Sequence, residues 1–284
     1  METIRIPRIV QDTAWGHLLH GRTIGFVPTM GALHEGHLSL VRMARDENDI
    51  TAVSIYVNPL QFGPSEDLLK YPRDLEGDSE KLRGEGVDIL FLPEELLMYP
   101  EGFETSVEVF GLSGKLCGAF RPGHFKGVAT VVTKLFHILN PTRAYFGRKD
   151  FQQTLIIRRL VRDLNIGTQV VVCPTVREGN GLAMSSRNRY LSEEERRAAA
   201  IIYRSLEEGA GAVKSGIIEC RRIRELMLGR LSSEPLISEI QYCSVFDPGT
   251  LDEPEQVRRE ALLAVAVKIG ATRLIDNLLV APGI

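Results

Sequence analysis

Two histidines flank a glycine in the run Val27-Pro28-Thr29-Met30-Gly31-Ala32-Leu33-His34-Glu35-Gly36-His37. Imidazoles three residues apart share one face of a helical turn. There they can donate hydrogen bonds to phosphate oxygens as charge develops in a transition state. Gly31 and Gly36 let the backbone turn sharply and approach a ligand closely. The free N–H groups of a helix start attract anions. A plainer reading competes, in which the two rings cap the helix and fill space. Their place directly after a strand and a glycine turn favours chemistry. Zinc lacks an evident third ligand nearby.

Three further segments carry chemistry-bearing side chains. Asn58 and Gln61, in Val57-Asn-Pro-Leu-Gln-Phe-Gly63, offer both donors and acceptors to a small polar substrate, although Asn-Pro is also an ordinary turn signal. In Gly147-Arg148-Lys149-Asp150-Phe151-Gln152-Gln153, Lys149 can neutralise phosphate. Asp150 can cap a helix or bind a ribose hydroxyl, and Gln153 lies one turn into that helix. In Val176 to Asn188, two hydroxyls, Ser185 and Ser186, precede Arg187 near several glycines. That composition suits a mobile phosphate-binding loop or an ordinary polar linker.

Alternating elements must position these groups. Strands are expected at Thr23–Val27, Thr51–Val57, Val87–Phe91, Arg143–Phe146 and Thr168–Cys173. Helical spacing falls at His37–Arg45, Leu75–Arg83, Gly127–Leu139 and Asp150–Leu164. The β-α-β-α order implies an α/β, Rossmann-like, mostly parallel sheet covered on both faces. Ligands bind such sheets at the carboxyl ends of the strands, where three of the four segments lie. An active site in a domain cleft is the simplest account of that grouping.

After about residue 175 the pattern changes. Val176–Arg189 reads as a loop. Ser192 and Glu195 form a capping-box signature. Helices at Glu193–Val213 and Ile217–Leu231 follow, then strands at Ile237–Val245, Ala261–Ile269 and Thr272–Asp276. The expected organisation is an α/β domain over 1–175 and a smaller α+β domain over 176–284.

A chain of 284 residues with net charge −3 can bury large cores, and its charge balance excludes a surface built throughout for nucleic acid. Four scattered cysteines without a C-x-x-C pair argue against disulfides or a zinc knuckle and point to a reducing cytoplasm. The charged start is no signal peptide and no apolar run reaches membrane-spanning length, so no membrane partner is expected.

The four segments together resemble the pantothenate synthetase (pantoate–β-alanine ligase) family, within the H-x-G-H nucleotidyltransferase superfamily. The resemblance is densest from Gly25 to Arg189 and includes Met184-Ser-Ser-Arg-Asn-Arg-Tyr190. It implies that ATP and (R)-pantoate, with Mg²⁺, give pantoyl adenylate and pyrophosphate. β-Alanine then displaces AMP to form pantothenate. It implies ATP contacts from Met30, Gly31, Ala32, Leu33, His34, Glu35, Gly36 and His37. Gly147, Arg148, Lys149, Asp150, Val176, Met184, Ser185, Ser186 and Arg187 would line the same nucleotide site. His37 would be the proton donor, His34 and Lys149 would serve the phosphates, and Gln61 and Gln153, with Asn58 nearby, would hold pantoate. A homodimer is also implied, and the Mg²⁺ ligands are left unassigned. The family usually has Gly-Glu-Lys-Asp where this chain has Gly147-Arg148-Lys149-Asp150. Arg148 either adds attraction for triphosphate or, the preferred reading, points to solvent. Two other classes stand beside this one: a nucleotidyltransferase acting on a phosphorylated acceptor, and a regulatory module that binds nucleotide without turnover.

Overall fold

The protein is described from a computed structural model, which covers residues 1–64 and 66–283. The chain separates into two compact units. The first comprises 1–114, 121–148 and 152–174, and the second 115–120, 149–151 and 175–284.

The first unit is built on a six-stranded parallel sheet in the order β1-β4-β3-β2-β5-β6. Its strands are β1 (Glu2–Ile4), β2 (Ile24–Thr29), β3 (Ile50–Ile55), β4 (Ile89–Phe91), β5 (Arg143–Gly147) and β6 (Gln169–Cys173). The central β2 and β3 are apolar and buried almost throughout, as a sheet covered on both faces requires. Helices α1 (Pro7–Leu19), α2 (Glu35–Glu47), α3 (Leu75–Gly84), the short α4 (Glu95–Met98), α6 (His124–Leu139) and α7 (Phe151–Asp163) accompany it; the four-residue α5 (Cys117–Phe120) groups with the second unit. The short edge strand β1 and helix α1 lie outside the sequence-based expectation. Three strand residues show no period, and α1 buries only Val10 and Ala14 while Trp15 and Leu19 stay exposed, which blurs its stripe.

From β2 the chain steps outward through β3 and β4, then returns to the other side of β2 for β5 and β6. The order therefore reverses between β2 and β5, the place where open α/β sheets bind ligands. The ladder between them covers Gly25↔Arg143 and Phe26↔Ala144, although both strands run three residues further. The Ile24 N–H points to the β5 side, at Thr142 Oγ1, and the Thr29 carbonyl to the β3 side, at Tyr56 N. By alternation Pro28 turns its nitrogen toward β5, and that nitrogen carries no proton. The next rung cannot form, and a crevice opens at the carboxyl ends of the two strands. Gly25 sets the other dimension. A Cβ there would stand 2.4 Å from Asn48 Nδ2 and 2.9 Å from the Ala44 carbonyl, so its absence lets α2 lie close on β2.

The second unit packs α8 (Glu193–Lys214) and α9 (Cys220–Ser232) with an antiparallel sheet β7-β8-β9. Its strands are β7 (Ile237–Phe246), β8 (Ala261–Ile269) and β9 (Thr272–Val280). Ile202, Leu206, Val213, Ile223 and Met227 share one core with Val245, Leu263, Val265 and Val267. The Ser192 hydroxyl accepts from Glu195 N at 3.2 Å and the Glu195 carboxylate from Ser192 N at 2.8 Å, the expected capping box. Helix α9 begins at Cys220 rather than Ile217 because Glu219 is extended and bridges Gln256. Cys220 N donates to the Glu255 carbonyl and Val257 N to that of Ile218. The segment expected as a loop is instead a hairpin followed by a 3-10 helix at Ser186–Tyr190. Arg177 pairs with Ala183, and Met184 N donates to the Val176 carbonyl.

Candidate active site

Beyond Thr29 the backbone of the first unit is left-handed at both Gly31 (φ 83°) and Ala32 (φ 51°). Alanine adopts that region at a cost of about 1–2 kcal/mol, so something must hold it. The holder is Asp78 on α3, 1% exposed, whose carboxylate accepts from Ala32 N and Leu33 N, each at 2.7 Å. Lys81, one turn later, donates to the Leu33 carbonyl at 3.1 Å and lies 3.6 Å from Asp78. A Cβ on Gly31 would come within 3.1 Å of both Asp78 Oδ2 and Ile55 Cγ2. Thr29 Oγ1 donates to the Ser54 carbonyl and accepts from Gly31 N, which closes the turn. Asp78 and Lys81 were not singled out from the sequence. The available signal was an acid one turn before buried Leu82, on the face that should be apolar.

The loop delivers His34 to the N-cap of α2 and His37 to its first turn. His34 Nδ1 accepts from Gly36 N at 3.1 Å, and His37 Nδ1 accepts from His34 N at 3.4 Å, a capping box made of two imidazoles. The ring centroids are 4.1 Å apart. Both rings therefore cap the helix. A ring that accepts at Nδ1 carries its neutral-form proton on Nε2, so each imidazole is set as an Nε2–H donor. A helix N-terminus with two such donors, at the sheet's reversal point, can stabilise negative charge on a phosphoryl group. Glu35 is ion-paired with Arg42, which also meets Glu85 at 2.6 Å.

Asn58 and Gln61 sit in a 3-10 turn after β3, Asn58 fully buried and Gln61 nearly so. Asn58 Nδ2 donates to Gln61 Oε1 at 3.2 Å and to the Gly127 carbonyl at 3.1 Å. Its Oδ1 accepts from the Tyr99 hydroxyl at 2.9 Å and from Leu60 N at 3.4 Å. Burial, with help from Glu95, pushes the Tyr99 hydroxyl well above the usual tyrosine range, so it stays protonated and donates. Gln61 Nε2 contacts Met30 Sδ at 2.9 Å, which joins the second segment to the first. The Gln61 carbonyl accepts from His124 Nδ1 at 2.8 Å and from Arg121 at 3.4 Å, and Arg121 also holds Glu66. Tyr99, Arg121, His124 and Gly127 escaped the sequence reading because nothing in their spacing ties them to Gln61.

Gly147 ends β5, and a Cβ there would meet open space. Arg148 is half-buried rather than fully solvent-exposed, and Gln153 is half-buried in the first turn of α7. The neighbouring Gln152 is buried and donates to the Leu112 carbonyl.

The remaining expected residues belong to the second unit. Lys149 lies 3.6 Å from Asp150, and Asn277 Nδ2 donates to the Lys149 carbonyl at 2.8 Å. Val176, Met184, Ser185, Ser186 and Arg187 lie along the hairpin and the 3-10 helix, where the Ser185 hydroxyl accepts from Arg187 N as its cap. This segment is anchored in its unit. Arg177 makes a two-pronged bond to Asp276 at 2.5 and 3.0 Å and stacks on Tyr203 at 3.8 Å. Burial pushes the Asp276 carboxyl up, while Arg177 pulls in the opposite direction. Glu178 links Asn188 and Arg196, each at 2.8 Å.

The family model for pantoate-beta-alanine ligase matches residues 3–279. The chain belongs to the pantoate–β-alanine ligase family. A pantothenate synthetase of Thermodesulfovibrio yellowstonii is 58% identical over 280 residues, covering 99% of this chain and 100% of the relative. One from a Sulfurihydrogenibium species is 53% identical over 278 residues, covering 98% and 99%. The crystal structure of pantothenate synthetase from Thermus thermophilus superposes with a TM-score of 0.93 at 45% identity, over 98% of this chain and 99% of that one. The pantoate-beta-alanine ligase of Francisella tularensis, solved in complex with beta-gamma ATP and beta-alanine, gives a TM-score of 0.80 at 36% identity, over 98% and 97%. Members of the family thus share this fold, a parallel sheet with helices followed by a small antiparallel sheet.

Proposed function

We propose that the protein condenses (R)-pantoate with β-alanine at the expense of ATP, through a pantoyl adenylate. The observation that carries this reading is the Met30–His37 loop, which caps a helix start with two imidazoles where the sheet order reverses. A pantoate carboxylate oxygen attacks the α-phosphorus of ATP, the bond to the β-phosphate oxygen breaks, and pyrophosphate leaves. The amine of β-alanine then attacks the acyl carbon, loses a proton, and expels AMP. A carboxylate is a poor electrophile until adenylated, so the protein's task is orientation and charge stabilisation.

His37 and His34 serve as hydrogen-bond donors to phosphate oxygens. Of the two, His37 is the proton donor that the family resemblance implies. Met30 to Glu35, Gly36 and Gly147–Arg148 provide the nucleotide contacts of the first unit, and Gln61 and Gln153 hold pantoate. In the second unit, Lys149, Asp150, Val176 and Met184–Arg187 serve the nucleotide. Among the described residues no three His, Cys, Asp or Glu side chains gather as a cation cage. By the family resemblance the cation is Mg²⁺, which needs few protein carboxylates where the substrate's own phosphates bind it. Arriving with ATP, it would neutralise triphosphate charge. Among the described residues no helix is long and apolar enough to cross a membrane. The family resemblance supports a cytoplasmic homodimer, and light scattering tests the dimer.

The deciding assay supplies ATP, Mg²⁺, pantoate and β-alanine and measures pyrophosphate, AMP and pantothenate. Pantoate should stimulate pyrophosphate release; without that stimulation the reading fails. Release of AMP, rather than a stable product retaining the nucleotide, separates it from a nucleotidyltransferase. His37→Ala should slow single-turnover adenylation about 100-fold or more, the scale of a removed transition-state donor.

A further inference from the structure

The partners of Asn58 fix which way two carboxamides face. The Gly127 carbonyl can only accept, so the Asn58 atom beside it is Nδ2; the Leu60 N–H can only donate, so the atom beside it is Oδ1. The protonated Tyr99 hydroxyl adds a second donor to Oδ1. A carboxamide has two protons and two acceptor positions, and all four are used here. Asn58 has nothing left for a substrate unless it gives up a bond.

The second Nδ2 proton goes to Gln61, so the Gln61 atom it meets is Oε1. A flipped Gln61 would set two donors against each other. Its Nε2 therefore faces the other way, toward Met30 Sδ. A thioether is a weak acceptor, and a substrate oxygen in its place makes the stronger bond. Gly127 permits the arrangement, since a Cβ there would stand 2.2 Å from the Leu60 carbonyl oxygen and 2.6 Å from Gln61 N.

We infer that Asn58 is a positioning residue that fixes Gln61 as a hydrogen-bond donor to an oxygen of the hydroxy-acid substrate, with Tyr99 and the Gly127 carbonyl setting the polarity. This rests on the reading that Gln61 meets pantoate. It also carries a specificity. A site locked as a donor accepts a carboxylate or hydroxyl oxygen and disfavours an ammonium group, so the amine of β-alanine is kept from that corner.

The test is steady-state kinetics on the full chain with Asn58→Asp, Tyr99→Phe, Gln61→Ala and the double variants with Gln61→Ala. Asn58→Asp keeps the shape but replaces the donor with an acceptor, which turns Gln61 around. Its KM for pantoate should rise about tenfold or more, since misorientation of a binding group costs up to about 100-fold. The KM for ATP should stay within about twofold, and in the Gln61→Ala background the Asn58→Asp effect on pantoate should vanish, as coupling through one side chain requires. Tyr99→Phe, a milder change should Asn58→Asp fold poorly, should raise the pantoate KM by a smaller factor and likewise lose its effect without Gln61. If Gln61→Ala raises the pantoate KM while neither Asn58→Asp nor Tyr99→Phe does, the positioning role is overturned and the reading of Gln61 stands. Equal effects on ATP and pantoate, or a full effect persisting without Gln61, also overturn it. An unchanged pantoate KM in Gln61→Ala overturns the underlying reading instead.

Discussion

Replacing Asp78 with alanine tests whether one buried carboxylate holds the Met30–His37 loop in place. In the structure that carboxylate takes the N–H groups of Ala32 and Leu33 at 2.7 Å each, and the side chain is 1% exposed. Removing it orphans two buried donors, each worth about 1–3 kcal/mol. The midpoint of the sum is about 4 kcal/mol, to which the left-handed backbone at Ala32 adds release of strain rather than further cost. At about 2–4 °C per kcal/mol for a domain of this size, the melting temperature should fall by about 8–16 °C. Lys81→Ala is the contrast. Its side chain is 35% exposed and the two N–H groups keep Asp78, so the loss should stay below about 1 kcal/mol. Calorimetric melting reads both variants, and titration with ATP reads the loop itself. Asp78→Ala should bind ATP at least about tenfold more weakly, since loop geometry sets the position of the proposed phosphate donors. An Asp78→Ala protein that melts within about 2 °C of wild type, or that binds ATP normally, refutes the clamp.

The remaining predictions concern the Gln61 turn. Gly127→Ala places a Cβ 2.2 Å from the Leu60 carbonyl oxygen, so the turn or α6 must move; overpacking of this kind costs about 1–3 kcal/mol, and kcat/KM for pantoate should fall about 10–100-fold, as a displacement near 1 Å does. A variant with wild-type stability and kinetics would show that the contact is soft. Burial pushes the Glu66 carboxyl up, but the hydrogen bonds and charge of Arg121 outweigh it and hold the group below the ordinary glutamate range. The stability it confers is therefore present above its unfolded value of about 4.3 and is lost as pH falls through the lower folded one. Urea unfolding of wild type and Glu66→Gln should differ near neutrality and converge in acid, and a pH-independent difference would remove the pair from acid sensitivity.

What the sequence made legible was the local chemistry that strand-end position reveals. The Val27–His37 run ends a buried apolar strand and opens a helix, and both histidines lie there. Ser192 and Glu195 announce their cap by spacing alone, because both partners are local. The supports of the site were hidden for the opposite reason. Asp78 acts 45 residues from Leu33, and the Asn58 Nδ2 contact to the Gly127 carbonyl spans 69 residues. No helical or strand period encodes such pairings. The Val176–Arg189 segment read as a loop because its glycines and polar residues hide a hairpin whose anchor, Asp276, lies 99 residues from Arg177.

The imidazole capping box also gives the protein a built-in spectroscopic probe. A nitrogen that accepts a backbone N–H has no room for a proton of its own, so a ring that becomes charged at Nδ1 must let go of Gly36 N or His34 N. A bound group that keeps the two caps closed slows exchange at those two amides with deuterated solvent. The amide signals of Gly36 and His34 thereby report whether the helix end is closed, in a segment that gives no visible colour or fluorescence.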